Sequence, residues 1–273
     1  MSATGPERIV CLTEETTETL YLLGEERRIA GISGYTVRPP RARREKPRVS
    51  AFASARIDKI LELAPDLVIG FSDIQADIAR DLIKHGLNVL VFNQRSVEEI
   101  LGMIRTLAAI VGAAERGAKL IAELQTGLDA IRARASRFPL RPRLYFEEWD
   151  EPLISGIRWV SELVGIAGGE DIFAELSRSQ DARGRIVADP AEVVRRRPDI
   201  IVASWCGKKF RPERVRARPG WSELPAVRDG QLFEIKSADI LQPGPAALSD
   251  GVARLHEIVA AWAESVPRTE AVG

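Results

Sequence analysis

The sequence predicts an α/β chain of two lobes with parallel sheets, bridged by one long α-helix. Three observations carry that reading. Short, continuously apolar runs alternate with amphipathic segments of helical period on both sides of the middle of the chain, the pattern of parallel strands buried on both faces. The stretch 96–138 has helical periodicity and no strand pattern. Finally, the two halves share a weak repeat: Ile60-Leu61 followed by Pro65-Asp66-Leu67-Val68-Ile69-Gly70 recurs at the same offsets as Val193-Val194 followed by Pro198-Asp199-Ile200-Ile201-Val202-Ala203. The domains expected are an N-terminal α/β lobe at 1–112, a linking helix at 113–138 and a C-terminal α/β lobe at 139–273.

Taken in order, residues 8–12 read as a strand and 14–23 as a helix that Gly24 ends. A second strand, 28–32, leads into Ser33-Gly34-Tyr35. The basic run Arg38, Arg41, Arg43, Arg44, Lys46 and Arg48, broken by prolines, reads as a solvated loop and not as a polyanion site. Residues 56–64 put Ile57, Ile60, Leu61 and Ala64 on one helical face, and Pro65-Asp66 ends it before the strand 67–70. A helix at 73–85, stopped by Gly86, feeds the strand 88–92. In the central stretch, Val97, Ile100, Leu101, Ile104, Leu107 and Val111 form one apolar stripe, and Ile121, Leu124, Leu128, Ile131 and Ala135 form another. Gly112 marks the break between them, because glycine favours the position just past a helix end. The second of these helices, about 24 residues, spans roughly 36 Å, and Pro139 and Pro142 stop it. Beyond it come a strand at 143–146, a helix at 159–166 ended by Gly168-Gly169, a helix at 189–197, strands at 198–203 and 231–235, and a closing helix at 246–263.

Composition excludes several functions. With 39 basic and 39 acidic residues there is no global field for nucleic acid, and no basic stripe carries interleaved aromatics. Cys11 and Cys206 cannot make a disulfide framework and are expected as free thiols. No run reaches the roughly 18 apolar residues of a membrane span. The first residues, Met1 to Glu7, hold no signal-peptide core. The chain is therefore expected to be cytoplasmic if Met1 is the native start, and periplasmic if an export signal has been removed. His85 and His256 have no partners at metal-ligand spacing, and neither a phosphate-binding glycine loop nor a Gly-x-Ser-x-Gly elbow is present. Glu147 and Glu148 are adjacent, so in a strand they point to opposite faces and do not act as an acid/base pair. No catalytic residue, metal site or catalytic cofactor is expected, and the chain reads as a non-enzyme.

In open parallel sheets ligands sit beyond the carboxyl ends of strands. Those positions hold Tyr35, Phe52, Phe71, Trp149 and Trp205, joined by the loop 237–245, in a chain with only 6% aromatics. A flat, largely apolar ligand with polar edges suits such a set.

The segments Ser33-Gly34-Tyr35 with Pro39-Pro40, Ala64-Pro65-Asp66-Leu67-Val68-Ile69, Ser155-Gly156 and Gly168-Gly169-Glu170-Asp171-Ile172-Phe173 together resemble the solute-binding proteins of cobalamin and ferric-siderophore ABC importers, above all the cobalamin-binding component. The resemblance covers residues 8–263. It implies two Rossmann-like lobes on one helix, a monomer, and cobalamin held in the inter-lobe cleft for delivery to an ABC permease and its ATPase. Carried over by position, the ligand-binding residues are Tyr35, Phe52, Phe71, Trp149, Trp159, Trp205, Gly207, Ile240, Leu241 and Gln242, and the permease-docking acids are Asp77 and Glu213. The alternatives are a ferric siderophore or haem as cargo, and a cytosolic corrinoid carrier or salvage enzyme on the same scaffold. Glu147-Glu148-Trp149-Asp150-Glu151 departs from the family pattern. Those acids are expected to bind ring amides, to pair with Lys208, Lys209 or Arg211, or to meet a cationic ligand.

Overall fold

The computed structural model describes residues 5–266, and the chain divides into two units. One comprises the residues up to 94 together with 98–124 and 242–245; the other comprises 95–97, 125–241 and the residues from 246 on.

The sheet of the first unit is centred on a strand with no polar side. In β1 (Ile9–Cys11) every residue is fully buried, so the strand must be covered on both faces. It pairs in parallel with β2 (Ile29–Ser33) on one edge and β4 (Leu67–Phe71) on the other, and β3 (Arg48–Ser50) and β5 (Val89–Phe92) complete the order β3-β2-β1-β4-β5. Helices α1 (Glu14–Leu22), α2 (Ala42–Glu45), α3 (Ile57–Glu62) and α4 (Ala76–Lys84) make the crossovers. The basic run is thus not all loop. It contains α2 and runs into the first residue of β3, and the two elements are anchored by Ala42 and Val49, each of which is buried.

The central stretch forms α5 (Val97–Ile110) and α6 (Ala114–Ala135). Gly112 between them has φ +71°, which glycine adopts without the Cβ clash that penalises other residues.

The second unit has β6 (Arg143–Asp150) at its centre, with β9 (Ile200–Ala203) and β10 (Leu232–Glu234) parallel on one side. Its other side differs from the all-parallel expectation. There β6 continues four residues past the expected end, and β7 (Leu153–Ser155) returns antiparallel, while the short β8 (Glu170–Asp171) pairs in parallel near its start. A strand this acidic persists because cations from elsewhere in the unit neutralise it, as described below. Helix α7 (Arg158–Ala167) ends at Gly168, and α8 (Ala191–Arg196) precedes β9. The short helices α9 (Pro212–Arg216), α10 (Pro225–Arg228) and α11 (Ser237–Ile240), none of them anticipated, fill the connections. A π-helical turn, Ala247–Gly251, leads into α12 (Val252–Ser265). His256 of α12 is no surface residue: it is buried, stacked on Phe138 with ring centres 5.6 Å apart, and hydrogen-bonded to the Ala167 carbonyl.

Candidate functional site

In the first unit, one buried side chain ties the strand ends together. Gln75, just before α4, accepts the Phe71 N–H at 2.9 Å and donates to the carbonyls of Phe52 at 3.0 Å and Leu12 at 3.4 Å. The ends of β1, β3 and β4 are thereby held in one surface. Tyr35 is anchored from below by Gly34, whose N–H reaches the Ser50 carbonyl at 2.7 Å, and its ring stays 54% exposed. Phe52 is 38% exposed, whereas Phe71 is 4% exposed and lies beneath the surface.

Sequence reasoning missed the acids of the same surface. Glu14, Glu15 and Glu18, in the first turns of α1 just past β1, are all buried. Thr13 donates to Glu15 Oε1 at 2.7 Å, but Oε2 of both Glu14 and Glu15 is buried without a hydrogen bond. Burial, reinforced by the neighbouring carboxylates, pushes Glu14 up to about 8; burial likewise pushes Glu15 up to about 7, although the Thr13 hydrogen bond opposes it. Gly244 lies directly over this turn, where a Cβ would come within 2.4 Å of Glu15 Cβ, so only glycine allows so close an approach. The signal was available: three carboxylates within the first two turns of a helix that starts at a buried strand end.

In the second unit the acids of β6 are paired. Glu147 is fully buried, accepts Arg218 through both oxygens at 2.5 and 2.9 Å, and also accepts the Trp205 indole N–H at 2.9 Å. Glu148, next to it at an irregularity in the β6–β7 pairing, forms a two-pronged pair with the buried Arg185. Asp150 holds Lys208 at 2.8 Å and Arg214 at 2.9 Å. Burial works against its charge, yet these two cations keep its carboxyl below the usual range. Of the three cations expected as partners, Lys208 takes part. Lys209 and Arg211 do not; the remaining partners come from Arg185, Arg214 and Arg218.

These pairs decide what the tryptophans do. Trp205 is 3% exposed, edge-on to Phe210 with ring centres 5.2 Å apart, and belongs to a core cluster with Tyr145 and Trp221. Trp159 is 3% exposed and donates to the Ile240 carbonyl at 2.9 Å. Both are core residues by burial and not rims of an opening. Trp149 is half-buried; its N–H is fixed on the Glu151 carbonyl at 2.9 Å, and Lys208 Nζ lies 3.9 Å from its ring centre. Gly207 is exposed at φ +73°, Ile240 is fully buried, and Leu241 and Gln242 are half-buried.

The sequence matches the profile of a family described as periplasmic binding proteins over residues 9–238. The chain belongs to the periplasmic binding protein family. One relative is the vitamin B12-binding protein of Vibrio cholerae, 27% identical over 253 residues that cover 89% of this chain and 85% of that one. Another is an uncharacterized ABC transporter substrate-binding lipoprotein of Bacillus subtilis, 23% identical over 263 residues, 93% of this chain and 80% of the relative. Among solved structures, the periplasmic heme-binding protein of Roseiflexus in its apo form matches with a TM-score of 0.78 at 22% identity, over 93% of this chain and 100% of that one.

In this periplasmic binding protein, Asp77 opens α4 with its side chain 84% exposed and 2.9 Å from Arg80. Glu213 is exposed in the first turn of α9. Among the described residues no helix is long and apolar enough to cross a membrane, and no group of three or more His, Cys, Asp or Glu is arranged to hold a metal ion. Cys11 is buried, with its thiol pushed up to about 12 by burial; Cys206 is exposed, and neither forms a disulfide.

Proposed function

We propose that this chain is the substrate-binding component of an ABC importer and that its cargo is a cobalamin-like corrinoid. The alignment with a vitamin B12-binding protein over nine-tenths of the chain is the observation that carries the reading. Exposed rings at strand ends support it. In the first unit the exposed rings of Tyr35 and Phe52 suit the face of a broad planar ring; in the second, Trp149 is half-buried, with Lys208 over its ring. Phe71, Trp159, Trp205 and Ile240 act from behind, holding those surfaces in place, and Leu241 and Gln242 supply partly accessible edge contacts. Asp77 and Glu213, exposed and weakly engaged, are the proposed docking acids for permease arginines.

Calorimetric titration of the purified protein with cyanocobalamin tests the cargo. Saturable heat and a coloured complex are expected. A colourless protein with no heat sinks the assignment. A second reading, haem or a ferric siderophore, is favoured by one feature: Lys209 and Arg211, both exposed beyond β9, suit an anionic complex. Titration with haemin and with a ferric hydroxamate decides between the two.

A further inference from the structure

We propose that the groove along the outer edge of β3 is a second binding site, for a small molecule that carries a polyphosphate. It lies wholly within the first unit and does not depend on the cargo proposed above.

The groove has a volume of about 830 Å³ and runs between α2 and α3. Its wall brings together Arg43, Lys46, Arg48, Arg56 and Lys59, against a single acid, Glu62. Five cations about one opening stand out in a chain whose charges balance at 39 each. They are also unpaired: among the described residues, none of the five lies within ion-pair distance of a carboxylate. The contrast within the same stretch is sharp. Arg38 is paired with Glu18 at 2.8 Å and Arg41 with Glu26 at 3.2 Å, while their neighbours Arg43, Lys46 and Arg48 face the groove without such partners.

Two of the cations are held in position by backbone. Lys46 Nζ donates to the Ile29 carbonyl at 2.8 Å, and Arg56 Nη2 to the Arg48 carbonyl at 2.6 Å. Ser50, also in the wall, has a buried hydroxyl with no hydrogen-bond partner.

Like charges gathered in one groove repel, and that repulsion is relieved most by a ligand bringing several negative charges at once. A lone carboxylate neutralises too little. The volume is that of a site for a whole small molecule, and Val49 and Leu63 leave an apolar stretch of wall for an uncharged part. No aromatic side chain lines the groove, so it offers no stacking platform for successive bases and fits a small anion better than a nucleic-acid strand.

The test is calorimetric titration of the full chain with sodium tripolyphosphate and, in parallel, with ATP, at about 50 mM and about 200 mM salt. A single-site isotherm is expected, weaker at the higher salt. The exposed double variant R48Q/K59Q should lose about tenfold in affinity, while K119Q/R254Q, which removes two exposed cations outside the groove, should bind as the parent does. Tighter binding of ATP than of tripolyphosphate would place the nucleoside on the apolar wall; equal binding would assign the phosphate chain alone. The proposal is overturned by the absence of saturation, by equal loss in both variants, or by binding of a DNA oligonucleotide where tripolyphosphate does not bind. Far-ultraviolet circular dichroism of both variants checks that the fold is kept, and a cyanocobalamin titration of R48Q/K59Q separates this site from the cargo site.

Discussion

Each unit buries a set of carboxylates just beyond or along its first strand, and the two sets meet opposite fates. In the second unit the acids of β6 are matched by cations, two-pronged where burial is deepest. In the first unit Glu14 and Glu15 are buried with oxygens left over, and they are pushed toward the neutral form. The lesson is that burial alone does not decide whether a carboxylate stays charged. Arg218 opposes the burial that raises Glu147, and no side chain does as much for Glu14, which feels Arg38 and Arg43 only at a distance.

Breaking the pair in the second unit has the largest expected effect. Arg218→Ala leaves Glu147 buried without its cation and should cost about 4 kcal/mol in urea unfolding; a loss under about 1 kcal/mol would mean that water reaches the carboxylate. Trp205→Ala removes a core ring and the other donor to Glu147. It should cost about 3 kcal/mol of stability, and a variant of parental stability that fails to bind cargo would return Trp205 to the ligand surface.

The first unit should show its difference in pH. Glu14 and Glu15 hold protons more tightly folded than unfolded, so their contribution is complete below their ordinary value of 4.5 and is lost as pH rises through about 7 and about 8. Stability should therefore fall between pH 5 and pH 8, and E14Q/E15Q should recover about 2 kcal/mol at the upper end while flattening the profile. Asp150 has the opposite sign: its contribution is present above its unfolded value and is lost only in acid. An unchanged profile in E14Q/E15Q would show that the two sets of acids do not differ as described.

Smaller effects remain. Trp149→Ala should leave stability within about 1 kcal/mol and weaken cyanocobalamin by about 1 to 2 kcal/mol. Asp77→Ala should change stability by less than about 0.5 kcal/mol and reduce transport without touching affinity, measured as uptake by a reconstituted importer.

The pattern of what was legible follows from range. Strands such as β4 and β9 are plain in the sequence because a buried parallel strand must be apolar throughout, and the breaks at Gly112 and Gly168 are plain because a helix end with positive φ favours glycine. The short elements were not: α2 and β3 hide in a basic, proline-broken run, and β7 follows a cluster of charges that argues against any strand. At the strand ends, residue type alone did not separate the exposed rings of Tyr35 and Phe52 from the buried ring of Trp205, because each is an aromatic following a strand.

Neighbouring residues set the alternation of helices and strands, the long central helices and the aromatic character of the strand ends, since each is written locally through periodicity and turn chemistry. Which charges are neutralised is settled by long-range folding. Glu147 finds Arg218 across 71 residues, Asp150 finds Lys208 across 58, and Glu148 finds Arg185 across 37, whereas among the described residues Arg43, Arg48 and Lys59 have no carboxylate within ion-pair distance. Pairing over such separations depends on where folding brings each strand end, and no local pattern of charge encodes it.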